Sequence, residues 1–304
     1  MNSQQFTETQ QADGTRAGSG PAPSAADPQE RQRKVWGAGD YRKIAWLTPA
    51  LADTLCEAVD VKAGSRVLDV ATGTGHVALA AARRFCHTTG VDLIADFLEI
   101  GRQRAESEAL PVRLVEASAE DLPFEDQSFD FVLSVVGVMF AANQQQAADE
   151  MLRVARPGGT IGLINWKPDG YVAELWKTIA KWAPPPPGAQ SPALWGKQEH
   201  VRQLLGSGTS DISFETGTLT QRFLSPAHHA EFFLSNYGPT LKVAESLEAD
   251  QRERFARDIE DLAARHNRAT DGSAVLDWDY VVVNAKVRYA EGRAKRPARS
   301  RHDP

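Results

Sequence analysis

The residues with the clearest chemical potential lie in one run, Val67-Leu68-Asp69-Val70-Ala71-Thr72-Gly73-Thr74-Gly75. A short apolar stretch ends there in a glycine turn, and the Ala-rich, helix-permissive segment 76–85 follows. Glycine lets backbone approach a ligand with no Cβ in the way. The N-terminus of the next helix then turns unpaired N–H groups toward that ligand. Two carboxylates accompany the loop: Asp69 inside the strand end, and Asp92, which lies 92 − 73 = 19 residues past Gly73. Gly73-Thr74-Gly75-His76-Val77-Ala78 fits the G-x-G-x-x-G/A dinucleotide fingerprint, with Asp92 where a ribose-binding acid is expected. An NAD(P)-dependent oxidoreductase is therefore one reading of the loop, and a plain glycine turn is another. Asp69 counts against a pyrophosphate, as does the lack of Arg or Lys in the loop. An anion at Asp69 suits a cationic ligand end or a network that holds the loop.

The elements that must position these groups alternate. Apolar runs at 66–70, 88–92, 112–116, 129–136 and 160–165 read as buried parallel strands. Helices are expected at 76–85, 95–107 and 143–155, the last stopped by Pro157 and the Gly158-Gly159 turn. Strands spaced by helices of this length imply βαβ units and an α/β, doubly wound, mostly parallel sheet. Beyond Trp166 the alternation breaks down. Pro184-Pro185-Pro186-Pro187-Gly188 is a stiff connector, 226–236 and 247–266 read as helices, and 212–223 and 278–287 read as two late strands that complete a seven-stranded sheet. Residues 1–30 are polar and small, and 290–304 collect Arg293, Lys295, Arg296, Arg299 and Arg301; both are expected to be disordered tails.

With 304 residues, 42% hydrophobic and 24% charged, the chain can build a large core. A formal net charge of -6 argues against a nucleic-acid partner. Cys56 and Cys86 form no closely spaced pair, and no Cys/His cluster offers a metal site, so reduced thiols and no metal are expected. The chain shows no apolar leader and no stretch long enough to span a bilayer, which points to a cytoplasmic protein.

Four motifs in order, D-x-A-T-G-T-G from Asp69, V-D-L from Val91, A-E-D-L-P-F with S-F-D from Ala119 to Asp130, and R-P-G-G-T from Arg156, resemble the class I S-adenosylmethionine-dependent methyltransferases. The likeness is greatest to the methyltransferase type 11 branch that includes ubiquinone/menaquinone-biosynthesis C-methyltransferases, and it covers about 36–166. The resemblance implies a Rossmann-like methyltransferase domain over 31–289, with a cofactor half, 31–166, and a substrate region with the last strands, 167–289. It implies S-adenosyl-L-methionine as cofactor. Asp69, Ala71, Gly73, Thr74 and Gly75 are similar to the loop around its methionine half, and Asp92 to the acid on the ribose hydroxyls. Leu93 stands against the adenine, Ser118, Ala119 and Glu120 at its edge, and Val135 nearest the sulfonium. The sequence departs from the family at Ala71, where the first glycine is commonest, and at Ser118, where Asp or Asn is more usual.

The implied reaction is in-line methyl transfer to a small apolar or aromatic acceptor, with helical insertions forming a lid over it. No general base announces itself; His228, His229 and Tyr41 are the candidates. Tyr41, Phe140, Trp166, Trp195 and Tyr237 are candidate acceptor-binding residues from an aromatic-rich region. Ser134-Val135-Val136-Gly137 stands where an N/D-P-P-[YFW] amino-methyltransferase signature would be. A monomer or homodimer is expected. A non-catalytic or non-methylating S-adenosylmethionine-binding protein on the same fold is the remaining alternative.

Overall fold

A computed structural model describes residues 28–289. The tail 290–304 and most of the tail 1–30 lie outside the described residues. The exception is at the inner end of 1–30, because helix α1 spans Pro28–Trp36. Two helices follow, α2 (Tyr41–Ala45) and α3 (Pro49–Ala58). The alternating core is β1 (Arg66–Val70), α4 (His76–Ala82), β2 (His87–Asp92), α5 (Ala95–Ser107), β3 (Val112–Glu116), β4 (Phe129–Val135), α6 (Gln144–Val154) and β5 (Ala155–Trp166). The second half is α7 (Tyr171–Trp182), α8 (Gln198–Leu205), β6 (Thr209–Phe223), α9 (Pro226–Asn236), α10 (Gly238–Ser246), α11 (Ala249–His266) and β7 (Ala274–Val287).

The seven strands form one sheet in the order β3-β2-β1-β4-β5-β7-β6. Pairs among β1 to β5 are parallel; β7 runs antiparallel to both β5 and β6. From β1 the chain first winds outward through β2 and β3, then returns to place β4 on the other side of β1. The crevice outside the carboxyl ends of β1 and β4 is thus the switch point where open α/β sheets hold ligands. The central strands are apolar because helices cover both faces: Val67, Leu68, Val70, Val132 and Leu133 have no exposed surface.

Several boundaries differ from expectation for local reasons. β5 starts at Ala155 and not at 160, because Ala155 pairs with Phe129 before a register shift that left-handed Gly158 (φ 74) accommodates. Pro157 sits at that irregularity, where a missing N–H is tolerated. α4 ends at Ala82, and Phe85 takes a left-handed φ of 60 three residues later. Helices α7, α8 and α10 were not foreseen; α10 opens on Gly238-Pro239, a pair that reads as a break but places proline in the first helical turn.

Candidate functional site

One cavity opens at the switch point, and the glycine loop forms part of its wall. The loop is held before any ligand arrives. Asp69 is 1% exposed, and its Oδ2 accepts from the Ala78 N–H at 2.9 Å and from the Thr72 hydroxyl. Asp92 Oδ2 accepts from the Gly73 N–H at 2.8 Å, and its Oδ1 from the Ile94 N–H at 2.9 Å. The Arg104 guanidinium, reaching over from α5, donates to the Thr74 carbonyl at 2.7 Å and to His76 Nδ1 at 3.1 Å. Burial raises the Asp69 carboxyl to about 7 and the Asp92 carboxyl to about 6, while burial and then Arg104 lower His76 to about 4.

Left-handed backbone borders the cavity. Ala71 (φ 53), Gly73 (φ 55) and Gly75 (φ 87) are left-handed, and so is Val136 (φ 50) at the end of β4. A β-branched residue there is strained, on the order of 1–3 kcal/mol, and persists only where its surroundings dictate it. Ser134 supplies part of that constraint, donating to the Val70 carbonyl at 2.7 Å and accepting from the Val138 N–H at 3.0 Å. Gly137 supplies the rest: a Cβ there would meet the Ala71 carbonyl oxygen at 2.6 Å and the Ala71 Cβ at 2.8 Å. Gly137→Ala is expected to push the two loops apart and weaken nucleoside binding by about tenfold or more, read by calorimetry. Unchanged affinity would show that the contact between the loops does not shape the site.

Most of the residues singled out from sequence meet here. Asp69, Ala71, Gly73, Thr74, Asp92, Leu93, Ser118, Ala119, Glu120 and Val135 line the cavity. So do Tyr41, Phe140, Trp166 and Tyr237. Gly75 does not line it; it is the left-handed residue that starts α4. Two side chains are already engaged. Glu120 Oε1 accepts from the Ala142 and Asn143 N–H groups at 2.7 and 3.1 Å, and Ser118 Oγ accepts from Gln29 Nε2 at 3.0 Å. Tyr41 stacks on Phe97 with centroids 4.2 Å apart, and burial followed by the nearby Asp92 charge raises its phenol pKa.

Three candidates fall elsewhere. Trp195 is fully buried in the short 3₁₀ turn Pro192–Gly196 and does not reach the cavity. His229 has no exposed surface; its Nε2 shares a 2.9 Å hydrogen bond with the Tyr171 hydroxyl, and burial lowers it to about 3. His228 also lies off the cavity lining, where its Nδ1 accepts from the Leu224 N–H at 3.4 Å. The pair opens α9, whose inward face packs His229 against Phe223 and Phe233 as a core residue. His228→Ala and His229→Phe are expected to retain turnover within about threefold; a loss of a hundredfold in either would restore it as a catalytic candidate. Sequence reasoning missed His76, Gln32, Trp36, Val172, Leu175 and Trp278, all in the lining. Only His76 carried a signal, as the first helical residue after the loop.

A family profile described as a methyltransferase domain matches residues 68–163, the span from β1 into β5. The uncharacterized Mycobacterium tuberculosis protein Rv1405c is 37% identical over 261 residues, covering 84% of this chain and 94% of its own. The ubiquinone/menaquinone biosynthesis C-methyltransferase UbiE of Bartonella tribocorum is 36% identical over 146 residues, 45% of this chain and 52% of that protein. The chain belongs to the class I S-adenosylmethionine-dependent methyltransferases. A putative methyltransferase from Bacillus halodurans shares the fold, with a TM-score of 0.56 at 20% identity over 78% of this chain and 98% of its own. The methyltransferase's cofactor is S-adenosylmethionine. The lining suits that cation: Asp69, Asp92 and Glu120 face the cavity, while no lysine or arginine does among the described residues. Nor is any described helix long and apolar enough to cross a membrane.

Proposed function

We propose that this methyltransferase acts on a small, flat, largely apolar acceptor, held in the same cavity as the methyl donor. The observation that carries this reading is that one lining holds two chemically distinct sets of residues, which we assign to a donor half and an acceptor half. The glycine loop, Asp69 and Asp92 form one; Phe140, Trp166, Trp176, Tyr237 and Trp278 belong to the other.

Bound S-adenosylmethionine supplies an activated methyl group whose sulfonium charge disperses in the transition state. The protein's task is then to hold the acceptor in line and exclude water. Asp92 takes the ribose hydroxyls, retaining lone pairs beyond those given to Gly73 and Ile94. Asp69 and the loop from Ala71 to Thr74 receive the amino-acid end, Leu93 and Ala119 flank the adenine, and Val135 faces the reacting methyl. Tyr41, stacked on Phe97 beside Gly73, closes the loop from above. Helix α1 adds cover, with Gln29 bonded to Ser118 and Gln32 bonded to the Phe140 carbonyl at 2.5 Å. His76 is kept neutral with its Nδ1 occupied by Arg104, and it offers no base. Burial keeps the Tyr41 phenol protonated as well, so the acceptor is left to supply its own nucleophilicity.

The test is turnover of S-adenosylmethionine to S-adenosylhomocysteine in a panel of neutral, anionic and cationic metabolites, with calorimetry of both nucleosides alongside. Turnover with neutral aromatic acceptors is expected. Binding of neither nucleoside, or methylation confined to highly charged acceptors, would refute the proposal.

A further inference from the structure

The acceptor half of the cavity contains two polar groups of one kind. Trp278, on β7, is 4% exposed, and its indole N–H is buried without a hydrogen-bond partner in the cavity wall. β7 pairs with β6 at Trp278 itself, opposite Leu219, and with β5 two residues further on, where Tyr280 lies opposite Trp166, so the backbone beneath Trp278 is held. The ring is also fenced: it meets Trp166 edge-on at 5.6 Å and Phe233 at 6.0 Å. The second group is the Tyr237 hydroxyl. Its oxygen accepts from Trp176 Nε1 at 3.3 Å, which leaves the phenolic proton to be donated elsewhere. Burial keeps that phenol protonated. The walls between these groups are aromatic, with Trp36 against Phe140 at 4.5 Å and Phe233 against Tyr237 at 5.6 Å.

Each ligand class meets a different fate here. A carboxylate or phosphate would give up its hydration with no lysine or arginine in the lining to compensate, and with Asp69 and Asp92 in the adjoining half. An ammonium group could lie over the rings, but it would do so beside the sulfonium cation of the methyl donor, where like charges repel in a low-dielectric site. A bare hydrocarbon would fill the space and leave a buried N–H and O–H unanswered. A neutral planar molecule with a carbonyl- or ether-type oxygen satisfies all three conditions.

Resting on the proposed function, we infer that Trp278 and Tyr237 are specificity-determining residues, whose N–H and O–H select a neutral, flat acceptor through an oxygen that accepts hydrogen bonds. Four naphthalenes that differ in one substituent test this by calorimetry on the full chain, with and without saturating S-adenosylmethionine. 2-Acetylnaphthalene is expected to bind about tenfold or more tightly than 2-ethylnaphthalene. 2-Naphthoate and 2-naphthylmethylammonium should each bind at least about tenfold more weakly than the ketone in the donor-saturated protein. Trp278→Phe should reduce the ketone-to-hydrocarbon ratio to about twofold while leaving the hydrocarbon's affinity within about threefold. Tyr237→Phe, which deletes one oxygen, should lower the same ratio if Trp278→Phe fails to fold. A ratio near one in the wild-type chain, tighter binding of either charged probe, or a ratio unmoved by the variant that folds would overturn the inference. Failure of S-adenosylmethionine itself to bind would instead overturn the proposed function, and the ketone-to-hydrocarbon ratio would still be measurable without it.

Discussion

Asp92→Ala is expected to weaken S-adenosylhomocysteine binding by about 100-fold or more. The carboxylate serves the ligand and the loop at once. Its Oδ2 orders the Gly73 N–H at 2.8 Å, its Oδ1 the Ile94 N–H at 2.9 Å, and its remaining lone pairs face the cavity. Hydrogen bonds to a charged group contribute roughly 1.5–3 kcal/mol each, and two lost to the ribose hydroxyls come to at least ~3 kcal/mol, about a hundredfold. The Gly73 N–H would also be left without its partner, and the loop would lose its preset shape. Asp92→Asn should fall between, because it keeps one acceptor oxygen and gives up the charge. Melting of the ligand-free protein should change far less. Burial raises this acid to about 6, so the native state already carries a cost for the charge that alanine removes. Calorimetry finding Asp92→Ala within threefold of wild type would remove Asp92 from the binding site.

Asp69 gives the second large effect, read as a pH-dependent difference in stability between Asp69→Asn and wild type. The Asp69 carboxyl is raised by burial from an ordinary 3.8 to about 7. The folded protein therefore keeps a proton that the unfolded chain has already released. That contribution to stability is complete below about pH 4 and is lost as pH rises through 7. At roughly 1.4 kcal/mol per unit, a displacement of this size corresponds to about 4 kcal/mol. The wild-type profile alone would hide it. His76, lowered to about 4, and His229, lowered to about 3, act in the opposite sense, gaining stability as pH rises toward 6.5, while Asp92 adds to the loss up to about 6. Subtracting wild type from Asp69→Asn cancels these shared groups. The asparagine variant should gain steadily between pH 4 and 7 relative to wild type and then level off, seen as diverging melting temperatures. The cationic donor should reverse the trend in wild type, binding more tightly at pH 8 than at pH 6 as Asp69 ionises. A constant difference in melting temperature from pH 5 to 8 would show that Asp69 stays ionised throughout.

The cofactor half of the molecule was largely legible in the sequence, and the acceptor half was not. β1, α5 and β3 occupy the residues expected because glycine turns and acidic strand ends punctuate them within a few positions. Asp69, Gly73 and Asp92 are local to those signals, so their meeting follows from one βαβ unit. Trp278 had no such signal. It alternates with its neighbours in a strand far along the chain, and it faces the cavity only because β7 runs antiparallel beside β5 and sets Tyr280 opposite Trp166. Trp195 and His229 lie off the cavity for the converse reason. Their residue types suit a site, but the turn and helix that carry them face inward to the core, and no periodicity in so short a 3₁₀ turn could have revealed it. Helix α7 was not foreseen because its aromatic content masks the helical period; its buried face is Tyr171, Val172, Leu175, Thr178 and Ile179.

The order of the strands has a further consequence. Every residue proposed to grip the nucleoside comes from the first half of the described chain, while Trp166, Trp176, Tyr237 and Trp278 come from later elements. The two sets meet in one cavity. Substitutions in the later set can recut the acceptor's shape without disturbing the handling of the methyl source. A scaffold wired in this way is suited to diversify its chemistry one wall at a time.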